Sequence, residues 1–459
     1  MSTTIGSPRK QIVFVKEETT TGTLAWPTTT DFILPAGSAS MNQTPEFTDS
    51  EELRDTLDLI DQFPNARPAG SWSIPMYFRA DSTLGNEPQG GILFKSLQGD
   101  VGATTFTIAT LVAIDATSIP FTTLAGDRLP NKGVVTIESE EIYYSAVTMS
   151  TATTGTLTVG TGGRGYNSTT AAIHDGSGTP ITGNALTSVF YIQETTSPSF
   201  SVWIKKDHLV LGMSGCTTSE CTIELNNEGA TMFTFSGEGM EMVWAGTSAA
   251  ASATSTTALV VDDARLYTVG ARIWNYTTSD TNSDAGYAIT DINYSTNTLT
   301  LGDAITASEN DVIKGYLPTA GASKEDPITS KDTAIYIDGS EAKFRTSTLT
   351  ISAPKQYLTD EVGTQYPEEY IEDVRSITAD FNLYCKPETA RYIYDGYEAN
   401  EFALNIILGD TVGSILELYF PRCRTSAPEI GEDGPAMTLS MSMTALGTNG
   451  EDSLEIVNR

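Results

Sequence analysis

The stretch CTTSECTIELNNEGATMFTFSGEGM, residues 216–240, has an echo in CRTSAPEIGEDGPAMTLSMSMTALG, residues 423–447. In each, a cysteine is followed by Thr-Ser two residues on (Thr218-Ser219, Thr425-Ser426), then by a polar turn with an acidic-Gly pair (Glu228-Gly229, Asp433-Gly434). A methionine, Met232 or Met437, then leads into alternating small and apolar residues. Alternation with period two is the pattern of a half-buried strand. The echo therefore reads as a repeated β-hairpin.

The rest of the chain repeats in the same order. An alternating strand recurs (Trp72 to Phe78, Ile377 to Tyr384), as does an apolar segment ending in Gly-Asp (Gly99-Asp100, Gly409-Asp410), ahead of the Cys-Thr-Ser hairpin. Two stretches interrupt this order. Residues 103–195 are rich in Thr, Gly and Ala, and residues 247–322 open with the low-complexity TSAAASATSTTALVV. Both hold short alternating runs with frequent turn signals, the mark of small all-β modules. The expected organisation is a first domain from 1–102 and 196–246, inserted modules at 103–195 and 247–322, and a second domain at 323–459. The fold class is mainly β, two tandem β-sandwich or barrel domains with short helices. Apolar residues at three- to four-residue spacing place one helix near GGILFKSL and another near PETARYIYDGY.

With Lys+Arg 26 against Asp+Glu 58, the chain carries a formal net charge of -32. Nucleic-acid affinity depends on Lys and Arg displacing counterions from phosphates, so this balance argues against a DNA-gripping role and against anionic membranes. Charged residues make up only 18% and hydrophobic ones 39%, which is a globular composition. No apolar run reaches membrane-spanning length and no signal-peptide core is present, so a protein made and kept in a cytoplasm is expected. Four cysteines, Cys216, Cys221, Cys385 and Cys423, are too few for a disulfide framework in such a chain and are expected reduced.

Catalytic, cofactor and metal residues are all expected to be absent. His174 and His208 lie far apart, and His174 in IHDGSGT reads as a turn residue. Cys216 and Cys221 have no second pair to complete a zinc site, and read as buried thiols. GTGGRGYN lacks the Lys-Ser/Thr and the following helix of a phosphate cradle, and reads as a β-turn. The acidic runs DSEE, ESEE and YPEEYIED contain no regular Asp-x-Asp-x-Asn loop for Ca²⁺ and read as solvated edges or loops.

The run TPEFTDSEELRDTLDLIDQFPNARPAGSWSIPMYFRADSTLGNEPQGGILFKSLQGD resembles the tail tube proteins of long-tailed bacteriophages, as does the C-terminal LSMSMTALGTNGEDSLEI. The family pattern is an acidic-Ser-Glu-x-x-Arg segment, here Asp49, Ser50, Glu51, Glu52, Leu53 and Arg54, followed by Gly, a strand and an apolar segment. The resemblance covers both halves and implies a structural virion protein, not an enzyme. Assembled in the host cytoplasm, it stacks as rings into the hollow tail tube through which genomic DNA passes without specific binding. Its other partners would be tape measure, tail terminator and tail-tip or baseplate proteins, with no cofactor and no membrane insertion. Duplication halves the chains needed per ring, so a trimer with pseudo-six-fold symmetry is expected, or else a hexamer. The lumen is expected to be acidic and the inserted modules to face outward.

An inter-ring loop is expected at Phe47, Asp49, Glu51, Glu52, Arg54, Phe63 and Arg67, with a counterpart at Tyr357, Asp360, Glu361, Tyr366, Glu368 and Glu369. The alternative is a carbohydrate-binding or carbohydrate-cleaving β protein of the virion or cell surface, with Trp203, Trp244 and Trp274 as its platform residues.

Overall fold

The computed structural model describes residues 7, 9–52, 58, 61–81, 86–101, 106–123, 133–151, 153–174, 178–182, 189–193, 196–225, 229–338, 340–359, 361–387, 389–410, 414–447 and 452–458. Strands dominate, and the fold is mainly β. Among the described residues the α-helices are Gly91–Gln98 and Arg391–Tyr397, where the apolar spacing puts them. Gly99 ends the first of these at φ 127, a backbone conformation that a residue without Cβ adopts at little cost.

The repeat is visible in the strand pairing. In the first half the antiparallel order runs Gln11–Glu17, Phe200–Lys206, Leu209–Leu225, Met232–Gly239, Gly70–Tyr77, Ser40–Asn42. In the second it runs Thr333–Ile337, Glu401–Leu408, Leu416–Thr425, Ala436–Leu446, Ser376–Tyr384, Phe344–Ser352. The echoing cysteines occupy matching places: Cys216 stands opposite Phe200 and Cys423 opposite Phe402, each pair beside a register shift. Each half also interrupts its last two strands with a small hairpin. One is Phe47–Asp49 with Gln62–Pro64, the other Lys355–Tyr357 with Tyr370–Glu372.

The halves are joined edge to edge. Residues 220–225 of the long strand Leu209–Leu225 pair with residues 347–352 of Phe344–Ser352. One continuous wall of eight strands results: Ser40–Asn42, Gly70–Tyr77, Met232–Gly239, Leu209–Leu225, Phe344–Ser352, Ser376–Tyr384, Ala436–Leu446 and Glu429–Asp433. Alternation sends Trp72, Ile74, Phe235, Ile223, Leu349 and Phe381 to one face, where each is almost wholly buried in a core shared by both halves. Burial of such side chains stabilises by about 1.5–3 kcal/mol each. Gly237 sits where the Trp72 ring and the Thr217 carbonyl leave no space for a Cβ.

Of the two interrupting modules, the first has a core of its own. Six strands close a barrel, from Phe106–Ile108 through Ser118–Thr122, Gly133–Ile137, Glu140–Thr151 and Thr154–Val159 to Pro180–Thr182, around Phe106, Phe121, Ile137 and Tyr144. The strand Val189–Gln193, expected within the 103–195 module, instead pairs with Glu455–Asn458 and Gly99–Val101 and so belongs to the main sheets. A second six-stranded sheet spans the strands from Thr247–Ala249 to Val312–Gly315. Its core is continuous with Phe14, Trp203, Val210 and Val243 of the first half, so this module is built onto the strands Gln11–Glu17, Phe200–Lys206, Leu209–Leu225 and Glu241–Ala245.

Candidate assembly interface

The second face of the eight-stranded wall has a simple chemistry. The segments SWSIPMY (71–77), MFTFSGEG (232–239), ECTIEL (220–225), TSTLTIS (346–352), SITADFNLY (376–384) and TLSMSMT (438–444) put small hydroxyl side chains on it in rows. Its charges are the carboxylates of Glu220, Glu224, Glu238 and Asp380, with one basic residue, Arg345, at the start of the strand Phe344–Ser352, where its guanidinium stands over the Tyr384 ring and pairs with Asp433. A face whose carboxylates outnumber its one guanidinium is unfavourable to phosphate.

The two small hairpins have opposite surroundings. The 355–372 hairpin of the second half lies on the first half. Tyr357, almost fully buried, holds its hydroxyl 2.7 Å from the Gly215 carbonyl, 3.0 Å from that of Glu238 and 2.9 Å from the Thr217 hydroxyl. Tyr370 donates to the Ser197 carbonyl at 2.6 Å, and Lys355 Nζ donates to the Thr218 carbonyl at 2.8 Å. At the tip, the Arg67 N–H donates to the Gln365 carbonyl and the Arg67 guanidinium stands over the Tyr366 ring. Glu361, Glu368 and Glu369 are exposed.

The 47–64 hairpin of the first half is exposed along both strands, with Phe47 at 55% and Phe63 at 50% of full exposure. Gln62 donates across it to Asp49, and Glu51 and Glu52 are exposed. Arg54 and Asp360 lie outside the described residues. Of the two sets, the structure brings Arg67 together with Tyr366.

Burial of the Lys355 amine pushes it down to about 8 from 10.5, against the opposing pull of Glu372 3.8 Å away. Between these values the unfolded chain binds the proton and the folded chain does not, so stability rises with pH across that window. Below pH 8 the full cost applies, about 3 kcal/mol at 1.36 kcal/mol per unit. Denaturant titrations of wild type and Lys355→Met from pH 7 to 10.5 are expected to show the wild type gaining on the variant by that amount. A difference flat across the range would refute the assignment.

The barrel contains a buried ionic cluster that the sequence reading missed. Glu140 was expected on a solvated edge in ESEE, and His174 in a turn. Strand alternation instead turns Glu140 inward at zero exposure, and His174 is equally buried, bridged to Val112. Arg164, from the glycine-rich GTGGRGYN loop, donates to both Glu140 oxygens at 2.7 and 2.8 Å. The Gly165 and Ala172 N–H groups donate to Glu140 as well, at 2.8 and 2.9 Å. His174 has Nε2 2.8 Å from Glu140 and Nδ1 3.0 Å from Glu138. Burial alone would raise the Glu140 carboxyl, but these donors outweigh it and hold it at about 2. The sequence signal for it is slight, an Arg and a His in the 160–174 stretch facing a glutamate of ESEE, and the cluster has the form of an internal brace.

Trp203 is fully buried against Trp26, and Trp244 and Trp274 are half-buried, Trp274 against Tyr276 and Tyr316. Cys216, Cys221 and Cys423 are buried free thiols, and burial raises all three. Among the described residues no group of three or more His, Cys, Asp or Glu is placed to hold a metal ion, and no helix is long and apolar enough to cross a membrane. No family model matches the chain, and no curated protein matches it.

Proposed function

We propose that this protein is a structural subunit that closes into rings and stacks them into a hollow tube for the passage of DNA, as the tail tube proteins of long-tailed phages do. The observation that carries this reading is the continuous wall of eight strands, apolar and packed on one side, hydroxyl-rich and predominantly acidic on the other, where Arg345 is the one basic residue of the eight strands and is paired with Asp433. Three copies would supply 24 strands (8 × 3). At about 4.8 Å per strand, such a closed wall has a circumference of about 115 Å and a backbone diameter of about 37 Å, wider if the strands tilt. Short side chains leave a clear channel in its centre. The net charge of -32 and the excess of carboxylates over the single Arg345 on that face suit a conduit that must not hold its cargo. In this arrangement the barrel and the 247–315 sheet lie behind the wall, outside the channel. Tape measure, terminator and tail-tip proteins are the partners this role implies.

Negative-stain electron microscopy of the purified protein, with mass measured across a concentration series, tests the reading. Rings or tubes with a central hole and three chains per ring are the expected result. Six chains per ring would keep the tube and remove the pseudo-six-fold symmetry. A compact monomer at every concentration, with tail-tip proteins supplied as nucleus, would overturn it in favour of a carbohydrate-binding protein.

A further inference from the structure

The junction between the halves is a template for a second junction whose two sides this chain leaves open. Within the chain, residues 220–225 pair with residues 347–352, and the 355–372 hairpin seats Tyr357 on the half it meets. The matching elements are the 425–433 edge of the second half and the 38–42 segment of the first. Among the described residues Glu429–Asp433 pairs on one side only, with Ala436–Leu446, and Ser40–Asn42 pairs only with Gly70–Tyr77. Ile430 and Phe47 are exposed at 59% and 55%.

Resting on the ring reading above, we infer that the 425–433 edge of one copy pairs antiparallel with residues 38–42 of the next, placing Glu429 opposite Ser38, and that Phe47 seats on the neighbour as Tyr357 does within the chain. The register follows from the repeat. Met41 stands opposite Trp72 and Ile351 opposite Ile377, so the two segments correspond at an offset of 310 (351 − 41). Ser38 answers to Thr348 and Phe47 to Tyr357. On the other side, Glu224 stands opposite Met232, which faces Tyr77; Glu429 stands opposite Ser440, which faces Asn382. Tyr77 and Asn382 share the offset of Trp72 and Ile377, 305 in both cases (382 − 77, 377 − 72). Glu224 pairs with Thr348 inside the chain, so Glu429 pairs with Ser38 between chains.

The chemistry of the seat changes in step. Gly215 and Glu238, whose carbonyls hold the Tyr357 hydroxyl, correspond to Arg422 and Leu446. Phe47 has no hydroxyl to place. A phenyl ring fits over a guanidinium and a leucine side chain, and the Arg422 guanidinium is already oriented by Glu401 at 2.9 Å. An edge that pairs head to tail in this way is heterologous, and closes a ring when the rotation per copy divides a full turn.

Cysteines placed opposite each other across an antiparallel pair lie within disulfide reach. The full chain carrying Ser38→Cys and Glu429→Cys, both exposed positions, is expected to give disulfide-linked dimers and trimers on oxidation, whereas either single variant gives none. Phe47→Asp is expected to reduce the assembled mass to that of one chain without lowering its unfolding temperature. Rings that form but stay unlinked in the double variant, and keep their mass in Phe47→Asp, would overturn this joint and leave the ring reading standing. A wild type that never assembles overturns both.

Discussion

Glu140→Gln is expected to destabilise the 106–182 barrel by about 3–5 kcal/mol, the usual loss when one partner of a buried ion pair is removed. The carboxylate accepts from Arg164 twice, from two backbone N–H groups and faces His174 Nε2, so all of its lone pairs are committed. Glutamine replaces one acceptor with a donor, aimed at donors, and leaves the Arg164 charge buried without its counterpart. Arg164 also donates to the Ala113 and Ala172 carbonyls, so the two loop segments it ties together loosen as well. Hydrogen exchange with mass spectrometry on the intact chain reads this locally. Peptides from 106–182 should lose most of their protection, while those of the eight-stranded wall keep theirs. The pH dependence has a definite sign. Glu140 titrates at about 2 when folded and 4.5 in the open chain, so its contribution is complete above pH 4.5 and fades as pH falls toward 2. Wild type and variant should therefore converge at pH 2; equal protection at pH 7 would refute the brace.

Tyr357→Ala is expected to cost about 3–5 kcal/mol, comparable to other truncations of buried aromatic side chains. The loss falls on the junction of the halves. Removing the ring also strips packing from Tyr370, 5.4 Å away, and leaves the Gly215 carbonyl without its hydroxyl partner. Tyr357→Phe keeps the packing and should cost about 1–3 kcal/mol, the penalty of unsatisfied buried groups. Limited proteolysis within 358–369, beside global unfolding in denaturant, separates release of the hairpin from loss of the fold. If Tyr357→Ala unfolded within about 1 kcal/mol of wild type and its hairpin stayed resistant, the seat would be irrelevant to stability.

Period-two alternation carried much of the architecture into plain view. It marked the two echoing hairpins, and their cysteines do occupy matching places opposite Phe200 and Phe402. Three- to four-residue spacing marked both helices. What stayed hidden depends on partners distant in the chain. Glu140 meets Arg164 and His174 across 24 and 34 residues, and nothing in ESEE shows which of its glutamates turns inward until the hairpin register is known. Tyr357 reaches Gly215 over 142 residues, so YPEEYIED and its neighbours read as a free loop. The return of Val189–Gln193 to the main sheets was illegible for the same reason, since its partners include the last strand of the chain.

The barrel's position between paired strands has a consequence for synthesis. Glu17 pairs with Phe200, 183 residues later (200 − 17), so at about 5–20 residues per second the first strand waits roughly 10–40 s for its neighbour. The barrel's strands all lie within 106–182, and it can finish folding during that wait. Until Phe200–Lys206 and Met232–Gly239 are made, Gln11–Glu17 and Gly70–Tyr77 present apolar faces and open edges on the ribosome. The nascent first half is therefore the stage at which this chain most needs a chaperone.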